Sequence, residues 1–450
     1  MIVMKFGGTS LGDAERIVAV SEIVRQRLNR RPVVVLSAMS GTTDLLVEAV
    51  SAARRGDREA VEVAVGELAK RHRWAVAGTM HDSSHRHDLD LEIDAILEEL
   101  RVLLRSVRVL GEGTPRAADT LLAFGELLST RIATAAFIER GIRARWIDAR
   151  EIVVTDDHHG AAEPDTAAVA ERCRVRLRPM MEQGEVPVIA GFVGATPEGE
   201  TTTLGRGGGD TSAAIVGAAL GVEEIQIWTD VDGLMTADPR TVKAARRLEE
   251  VSFPEAAELA YYGARVLHPA SIAPAVRQNI PVRILNSMNP EGAGTAIVDR
   301  TDSGAGSLAS VTSRRGLRAL RVVVRGKRVD PAFLSTVIRT LEHCGVTGEL
   351  AVASEASVTL VVRGDPQTAR IAAELPPGCD LESVPDLAIV CVVGGALVDN
   401  GEVRRRVLEV LALHEPVVVA LGAMATSVAA VVAESHLDAT VRDVHRRFFE

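Results

Sequence analysis

Two glycine-rich stretches contain the side chains best suited to chemistry. Residues 5–10 read Lys-Phe-Gly-Gly-Thr-Ser, and residues 204–210 read Leu-Gly-Arg-Gly-Gly-Gly-Asp, followed by a helix-compatible run. Glycines lack a Cβ and let backbone N–H groups close on an anion, and a helix N-terminus adds partial positive charge. With Lys5 as a mobile cation, the two stretches together predict a phosphate-binding site.

The common nucleotide-binding fingerprints do not match these stretches. The sequence contains no G-x-x-x-x-G-K-[ST], and a G-x-G-x-x-G test that starts at Gly205 meets Asp210 where the third glycine should stand. A P-loop or a Rossmann site is therefore disfavoured. Either glycine cluster alone could be an ordinary tight turn, so the prediction depends on their combination.

Short apolar runs alternate with longer helical patterns along the first 300 residues, which predicts an α/β sandwich. In such sheets, ligands bind where strands give way to helices. Lys5 lies near one strand end, and Asp210 lies at a predicted helix start. The predicted strands are 2–6, 32–36, 145–147, 186–190, 224–229 and 282–285.

Composition limits the classes of partner. The net charge of −10 gives no general attraction for nucleic acid or for an anionic membrane. Four widely spaced cysteines suggest neither a zinc site nor a disulfide framework, and no leader or membrane-spanning run is recognisable. We therefore predict a cytoplasmic protein whose partners are small molecules and other subunits.

A polar, glycine-rich stretch predicts the main domain boundary. The chain of 450 residues favours two or three domains. We predict one domain over 1–300, a linker over 301–315 and a smaller α+β region over 316–450. Strand and helix patterns recur in similar order within that last region, which indicates a weak internal repeat. Modules this small usually need a partner surface for stability.

Further motifs make the chain resemble the aspartokinases of the amino acid kinase superfamily. The resemblance covers residues 1–300 and, more loosely, the remainder. It implies an amino acid kinase αβα sandwich followed by two ACT modules, which are small α+β units that bind regulatory amino acids. The stretches that carry it are Val-Leu-Ser-Ala-Met-Ser-Gly-Thr-Thr-Asp (35–44), Phe-Gly-Glu-Leu-Leu-Ser-Thr (124–130), Trp-Thr-Asp-Val-Asp-Gly-Leu-Met-Thr-Ala-Asp-Pro-Arg (228–240), Tyr-Gly-Ala-Arg-Val-Leu-His-Pro (262–269) and Asn-Ser-Met-Asn-Pro-Glu-Gly-Ala-Gly-Thr (286–295).

The resemblance implies a reaction that moves the γ-phosphoryl group of ATP, with Mg²⁺, onto the side-chain carboxylate of L-aspartate. This is the first step of lysine, threonine and methionine synthesis. An aspartate side chain has a pKa of about 3.9, so the acceptor is ionised at neutral pH and needs no general base. The obstacle is the approach of two anions, which positive charge and aligned N–H donors overcome.

Lys5 and Asp210 are the predicted catalytic residues. Taken alone, Lys5 could be an exposed lysine at a strand end, and Asp210 could cap a helix. In the aspartokinases, the aspartate at this motif position organises the catalytic lysine. A carboxylate beside phosphates would otherwise repel them, so we expect Asp210 to pair with a cation.

The resemblance also assigns the substrate and nucleotide contacts. Arg206 would hold the α-carboxylate of aspartate and Glu126 its α-amino group, although alone they could be a solvated arginine and a helix-surface carboxylate. Ser37 and Thr43 would line the same pocket. The implied ATP-binding residues are Lys5, Phe6, Gly7, Gly8, Gly207, Gly208, Thr229, Asp230, Met235, Arg240, Arg265 and Val266.

Three positions depart from the family pattern. Gly209 replaces a common serine and removes a hydroxyl from the substrate side, Met235 replaces an aromatic residue, and Arg265 replaces a frequent lysine. We expect altered affinity rather than inactivity. No metal site built from side chains is predicted, because the three histidines between 81 and 87 lack matching acidic or thiol partners.

Two alternative functions remain open. A related amino acid kinase could act on another acidic substrate, but Glu126 and Arg206 together favour one with free amino and carboxyl groups. A catalytically silent ACT-containing sensor is the other alternative, and the retention of Lys5, Arg206 and Asp210 argues against it. The resemblance implies lysine or threonine as effector and a homodimer or larger oligomer, although the loops at 345–348 and 422–427 differ from the usual effector patterns.

Overall fold

The structure is a computed structural model that describes residues 1–263, 267, 269–299, 308–325, 328–364, 366–421 and 426–450. The chain forms two compact units. The first unit consists of Met1–Leu234, Glu249–Phe253 and Val266–Thr301, and the second of Met235–Leu248, Pro254–Arg265 and Asp302–Glu450.

The first unit alternates strands and helices as the sequence predicts. Its strands are β1 (Ile2–Phe6), β2 (Pro32–Leu36), β3 (Ala144–Ile147), β4 (Val186–Ala190), β5 (Val193–Ala195), β6 (Thr201–Thr203), β7 (Glu224–Thr229), β8 (Glu250–Ser252), β9 (Val282–Asn286) and β10 (Thr295–Val298). Its helices are α1 (Ala14–Arg25), α2 (Thr42–Arg54), α3 (Arg58–Thr79), α4 (Ser83–Leu110), α5 (Pro115–Leu122), α6 (Phe124–Glu139), α7 (Thr166–Arg172), α8 (Arg178–Glu182), α9 (Gly208–Leu220) and α11 (Ala273–Arg277).

An eight-stranded sheet in the order β3-β4-β2-β1-β7-β9-β10-β8 forms the centre of this unit. In that order, the strands from β3 to β9 run parallel, and β10 is antiparallel to β9. Strand β1 lies between β2 and β7, with Lys5 in register with Val35 and Ile227. The carboxyl ends of β1, β2, β4 and β7 therefore meet at one edge of the sheet.

The apolar runs explain why these segments form buried strands and helices. The side chains of Ile2, Val3 and Met4 have no exposed surface, as parallel strands covered on both faces require. Helices α2, α3, α4 and α6 pack together in the same hydrophobic core. Residues Pro115–Glu139 are long and apolar enough to cross a membrane by composition, but most of this window is buried inside the unit.

The second unit contains a six-stranded antiparallel sheet in the order β12-β13-β11-β14-β16-β15. Its strands are β11 (Ser310–Val324), β12 (Gly348–Ala353), β13 (Ser357–Arg363), β14 (Cys379–Val393), β15 (Val418–Leu421) and β16 (Ser427–Ala433). Its helices are α10 (Phe253–Tyr262), α12 (Pro331–His343), α13 (Thr368–Glu374), α14 (Ala396–Asp399), α15 (Gly401–Ala412) and α16 (Leu437–Phe449).

Two separate cores divide this sheet, and both long strands contribute to each. One core joins Leu320 of β11 to α12 and α13. The other joins Val311 of β11 and Val390 of β14 to α15 and α16. The pairing of β11 with β14 shifts register near Leu317, between the two cores. The first small module is therefore inserted into the second, whereas the sequence suggested two consecutive repeats.

The predicted domain boundaries need two corrections. Residues 310–315 of the predicted linker lie in β11, because β14 supplies a pairing partner for them. Residues 301–307 of that stretch lie outside the described residues. The predicted first domain includes the segments 235–248 and 254–265, but both belong to the second unit. In the first of them, Ala237 and Val242 pack into the core with Val441 of α16.

Candidate active site

A cavity of about 480 Å³ lies at the sheet edge where the strand ends meet. The loops that follow β1, β2, β4 and β7 contribute to its wall, together with the start of α9 and Glu126 of α6. The residues that line it are Lys5, Gly7, Gly8, Thr9, Ser37, Ala38, Met39, Ser40, Gly41, Thr43, Asp44, Glu126, Phe192, Gly205, Gly207, Gly208, Gly209, Asp210, Thr229 and Asp230.

Lys5 and Asp210 form an ion pair in this cavity. Lys5 Nζ lies 2.6 Å from Asp210 Oδ1, and only 12% and 13% of the two side chains are exposed. Asp210 lies in the first turn of α9, whose N-cap residue Gly207 makes no side-chain cap. The pair gives each charge a partner where water is scarce, which a partly buried ion needs.

The glycines allow the backbone to pack closely around these charges. Gly207 has φ +75° and begins α9. A Cβ on Gly8 would lie 3.0 Å from the carbonyl oxygen of Ala38, and a Cβ on Gly209 would lie 3.1 Å from Lys5 Cε. The first N–H groups of a helix lack intrahelical acceptors. The N–H of Gly208 donates to the carbonyl oxygen of Gly205. The N–H groups of Gly209 and Asp210, which also line the cavity, are therefore the ones that could serve an anion.

Glu126 places a buried carboxyl group in the same cavity. Its Oε1 accepts a hydrogen bond from the N–H of Ala38 at 3.2 Å. Its Oε2 is buried and has no hydrogen-bond partner among the described residues. Burial raises the pKa of Glu126 to about 8, against the lowering effect of the Ala38 N–H and of Lys5. This raised pKa keeps Glu126 mainly protonated at neutral pH, and a cationic ligand group would give its Oε2 a partner.

The substrate-side residues differ in how the structure places them. Ser37 and Thr43 line the cavity, and Ser37 Oγ lies 3.1 Å from where a Cβ of Gly209 would stand. Arg206 lies between two lining glycines, but its side chain is exposed and is not part of the lining. The backbone on either side of Arg206 thus determines where its guanidinium can reach.

The predicted nucleotide contacts divide into four groups. Gly7, Gly8, Gly207, Gly208, Thr229 and Asp230 line the cavity with Lys5. The Phe6 side chain does not line it, because it is buried and stacks on Trp228 with ring centroids 5.7 Å apart. Met235 and Arg240 belong to the second unit, where Arg240 binds Asp238. Arg265 and Val266 lie outside the described residues.

Comparison with known proteins identifies the family. The model of the amino acid kinase family matches residues 1–286. Lysine-sensitive aspartokinase 3 of Escherichia coli (strain K12) is 34% identical, over 100% of this chain and 99% of its own length. Aspartokinase 1, chloroplastic, of Arabidopsis thaliana is also 34% identical, over 100% of this chain and 80% of its own length. The chain belongs to the aspartokinases.

Solved aspartokinase structures agree over the whole chain. E. coli aspartokinase III in complex with lysine and aspartate (T-state) matches with a TM-score of 0.89 at 32% identity, covering 100% of both chains. The same enzyme in complex with aspartate and ADP (R-state) matches with a TM-score of 0.82. The family and the fold class that the sequence motifs predicted are confirmed.

Phe192 is a lining residue of this aspartokinase site that sequence analysis missed. It adopts φ +69°, which is unusual for a bulky side chain. Its N–H donates to Ser212 Oγ at 2.9 Å, and its carbonyl accepts from the N–H of Leu204 at 2.9 Å. These bonds tie the end of β4 to both ends of the glycine-rich loop. Its position directly after a predicted buried strand was the signal that could have found it.

Proposed function

We propose that this cavity transfers the γ-phosphoryl group of ATP to the side-chain carboxylate of L-aspartate, which gives 4-phospho-L-aspartate and ADP. The observation that carries the proposal is the Lys5–Asp210 pair at the start of α9, beside the buried Glu126. Family membership at 34% identity over the whole chain supports the same activity. The product leads toward lysine, threonine and methionine.

Charge neutralisation is the main task of the site. The bond from the γ-phosphorus to the bridging oxygen of ADP breaks, and a bond to a carboxylate oxygen of aspartate forms. No proton needs to move, because the acceptor is already ionised. Lys5 offsets the negative charge of the transferring group, and Asp210 holds the ammonium group in place at 2.6 Å. The N–H donors at the start of α9 also stabilise this negative charge.

Recognition of aspartate rests on its two α-substituents. Glu126 would pair with the α-ammonium group, since its Oε2 lacks a partner in the described residues. Arg206 would bind the α-carboxylate through a two-pronged contact, and Ser37 and Thr43 would contact the remaining polar atoms. This arrangement favours an acceptor with free amino and carboxyl groups over an N-acylated acid.

ATP would bind with its phosphates against Gly7, Gly8, Gly207 and Gly208, and with its nucleoside toward Thr229 and Asp230. The resemblance to the family also implies Met235, Arg240, Arg265 and Val266 as nucleotide contacts. The described residues hold no group of three His, Cys, Asp or Glu that could bind a metal ion, so Mg²⁺ would arrive on the phosphates. The lining carboxylates left to face it are those of Asp44 and Asp230. When bound, Mg²⁺ supplies positive charge that screens the phosphates.

The second unit would act as a regulatory region with two ACT-like modules. The E. coli relative is named lysine-sensitive, which makes lysine the first effector to test and threonine the second. Assembly as a homodimer or a larger oligomer and a cytoplasmic location complete the proposal.

The decisive assay traps the acyl phosphate with hydroxylamine. Formation of hydroxamate would be measured with ATP and Mg²⁺ across L-aspartate, L-glutamate and N-acetyl-L-glutamate, with and without added lysine or threonine. We expect a signal with aspartate that is at least about tenfold above the other acids. A larger signal with another acid would move the chain to the related-kinase alternative. No signal with any acid would favour the silent sensor.

A further inference from the structure

A buried carboxylate lies close to the cavity without lining it. Asp119 of α5 is 1% exposed and accepts four hydrogen bonds. Its donors are the N–H of Gly160 at 2.9 Å, the N–H of Thr203 at 3.1 Å, the hydroxyl of Thr203 at 2.6 Å and Nδ1 of His159 at 3.0 Å. Four acceptor sites are all that a carboxylate has. All four bonds therefore connect Asp119 to two segments of the chain, residues 159–160 and Thr203.

Both of these segments border the loop that carries Arg206. Thr203 ends β6 and precedes Leu204 directly. The carbonyl oxygen of Gly160 would lie only 2.9 Å from a Cβ on Gly205, and Gly205 itself has φ +70°. Gly205 therefore packs directly on the segment that Asp119 holds. Any movement of residues 159–160 or of Thr203 would be passed to Gly205 and then to Arg206.

We propose that Asp119 is a positioning residue for the acceptor substrate, which fixes the backbone of the glycine-rich loop so that Arg206 can bind the substrate carboxylate. The proposal rests on the proposed role of Arg206. Both segments that Asp119 binds contact this loop, since Thr203 directly precedes it and Gly160 packs against Gly205.

His159 links the carboxylate to the surface of the protein. A carboxylate can only accept, so Nδ1 of His159 carries the hydrogen in its bond with Asp119. Its Nε2 lies 3.9 Å from Glu200, which in turn pairs with Arg116 at 2.5 Å. The Nδ1 donor of His159 can be removed or replaced by substitution at position 159, which leaves Asp119 unchanged.

The test compares Asp119→Asn with Asp148→Asn. In Asp119→Asn the amide oxygen can still face the three N–H donors, but it carries no charge, and the NH2 group replaces the oxygen that accepts from the Thr203 hydroxyl. The bonds to both segments should therefore weaken and release the loop. Asp148 is a matched control, since it is a partly buried carboxylate of the same unit that binds Arg150 and not this loop. We expect Asp119→Asn to raise KM for aspartate by at least about fivefold while kcat and KM for ATP change by less than about twofold. Amide hydrogen exchange should accelerate in peptides that cover 203–208.

His159 variants keep the proposal testable if Asp119→Asn does not fold. His159→Asn retains an N–H at the position of Nδ1, and His159→Phe retains the ring without the donor. We expect the Phe variant to raise KM for aspartate and the Asn variant to restore it. An unchanged KM in folded Asp119→Asn or His159→Phe protein, or an equal rise in Asp148→Asn, would overturn the proposal. Inactivity of the wild-type chain toward aspartate would instead remove the proposed function, and hydrogen exchange would still show whether Asp119 orders the loop.

Discussion

Replacement of Glu126 by glutamine should raise the free energy of unfolding at neutral pH and weaken the binding of aspartate. The amide side chain would keep a carbonyl oxygen for the N–H of Ala38 and would remove the buried ionisable group. In the folded chain the pKa of Glu126 is about 8, above its ordinary value of 4.5 because of burial. The folded state therefore binds this proton more tightly than the unfolded state does. The contribution of Glu126 to the free energy of unfolding is therefore complete below pH 4.5 and is lost as the pH rises to about 8.

The size of the effect follows from the same pKa. In the unfolded chain at pH 7 this carboxyl group is ionised, and folding must protonate it at a cost of at most about 3 kcal/mol. Glutamine is neutral in both states and does not carry this cost. Glu126→Gln should then raise the unfolding midpoint by roughly 5 °C or more at pH 7–8 and leave it unchanged near pH 4. Its KM for aspartate should rise by about tenfold or more, since the neutral amide cannot form an ion pair with an ammonium group.

Thermal unfolding followed by circular dichroism at pH 4, 6 and 8 would measure this difference. Glu139→Gln on the same helix is the matched control. The N–H groups of Asp82 and His81 lower the pKa of Glu139, so its stabilisation has the opposite pH dependence. A Glu126→Gln protein that is no more stable than wild type at pH 8 would refute the reasoning, because burial would then not raise the pKa of Glu126.

Three further perturbations test the site and the two units. Lys5→Ala should lower kcat by at least about 10²-fold without changing the circular dichroism spectrum, and near-normal turnover would remove Lys5 from the mechanism. Gly205→Ala should lower the free energy of unfolding by about 1–2 kcal/mol in denaturant titrations, because φ is +70° and the methyl group would meet Gly160; an unchanged midpoint would contradict the assigned turn. Val390→Ala should destabilise the second unit by about 2 kcal/mol, whereas Val384→Ala, on the exposed part of the same strand, should cost less than about 0.5 kcal/mol; equal losses would contradict the proposed core.

The central sheet and the main charges of the site were predictable because their signals are local. The five longest strands of the first unit, β1, β2, β4, β7 and β9, are rich in apolar and β-branched residues, and the predicted bounds differ from the observed ones by no more than one residue. The pairing of Asp210 with a cation followed from electrostatics, since an isolated carboxylate would repel phosphate. Lys5 is the cation that the structure places beside it.

The errors arose where distant segments decide the structure. Residues 310–315 are polar and contain charges, and only their pairing with β14 makes them a strand. Residues 235–248 follow the motif of the first unit, yet contacts with α16 assign them to the second. Asp119 is a single acid in a short helix, and nothing in its local sequence indicates that residues 159, 160 and 203 converge on it.

The position of the trapped hydroxamate on aspartate tests the central claim most directly. If Glu126 and Arg206 hold the two α-substituents, only the side-chain carboxylate can meet the γ-phosphate beside Lys5. Mass spectrometry and NMR of the product formed from ATP, L-aspartate and hydroxylamine should then show the β-hydroxamate alone. Formation of the α-hydroxamate would mean that the acceptor binds in the opposite orientation, and it would contradict the roles assigned to Glu126 and Arg206.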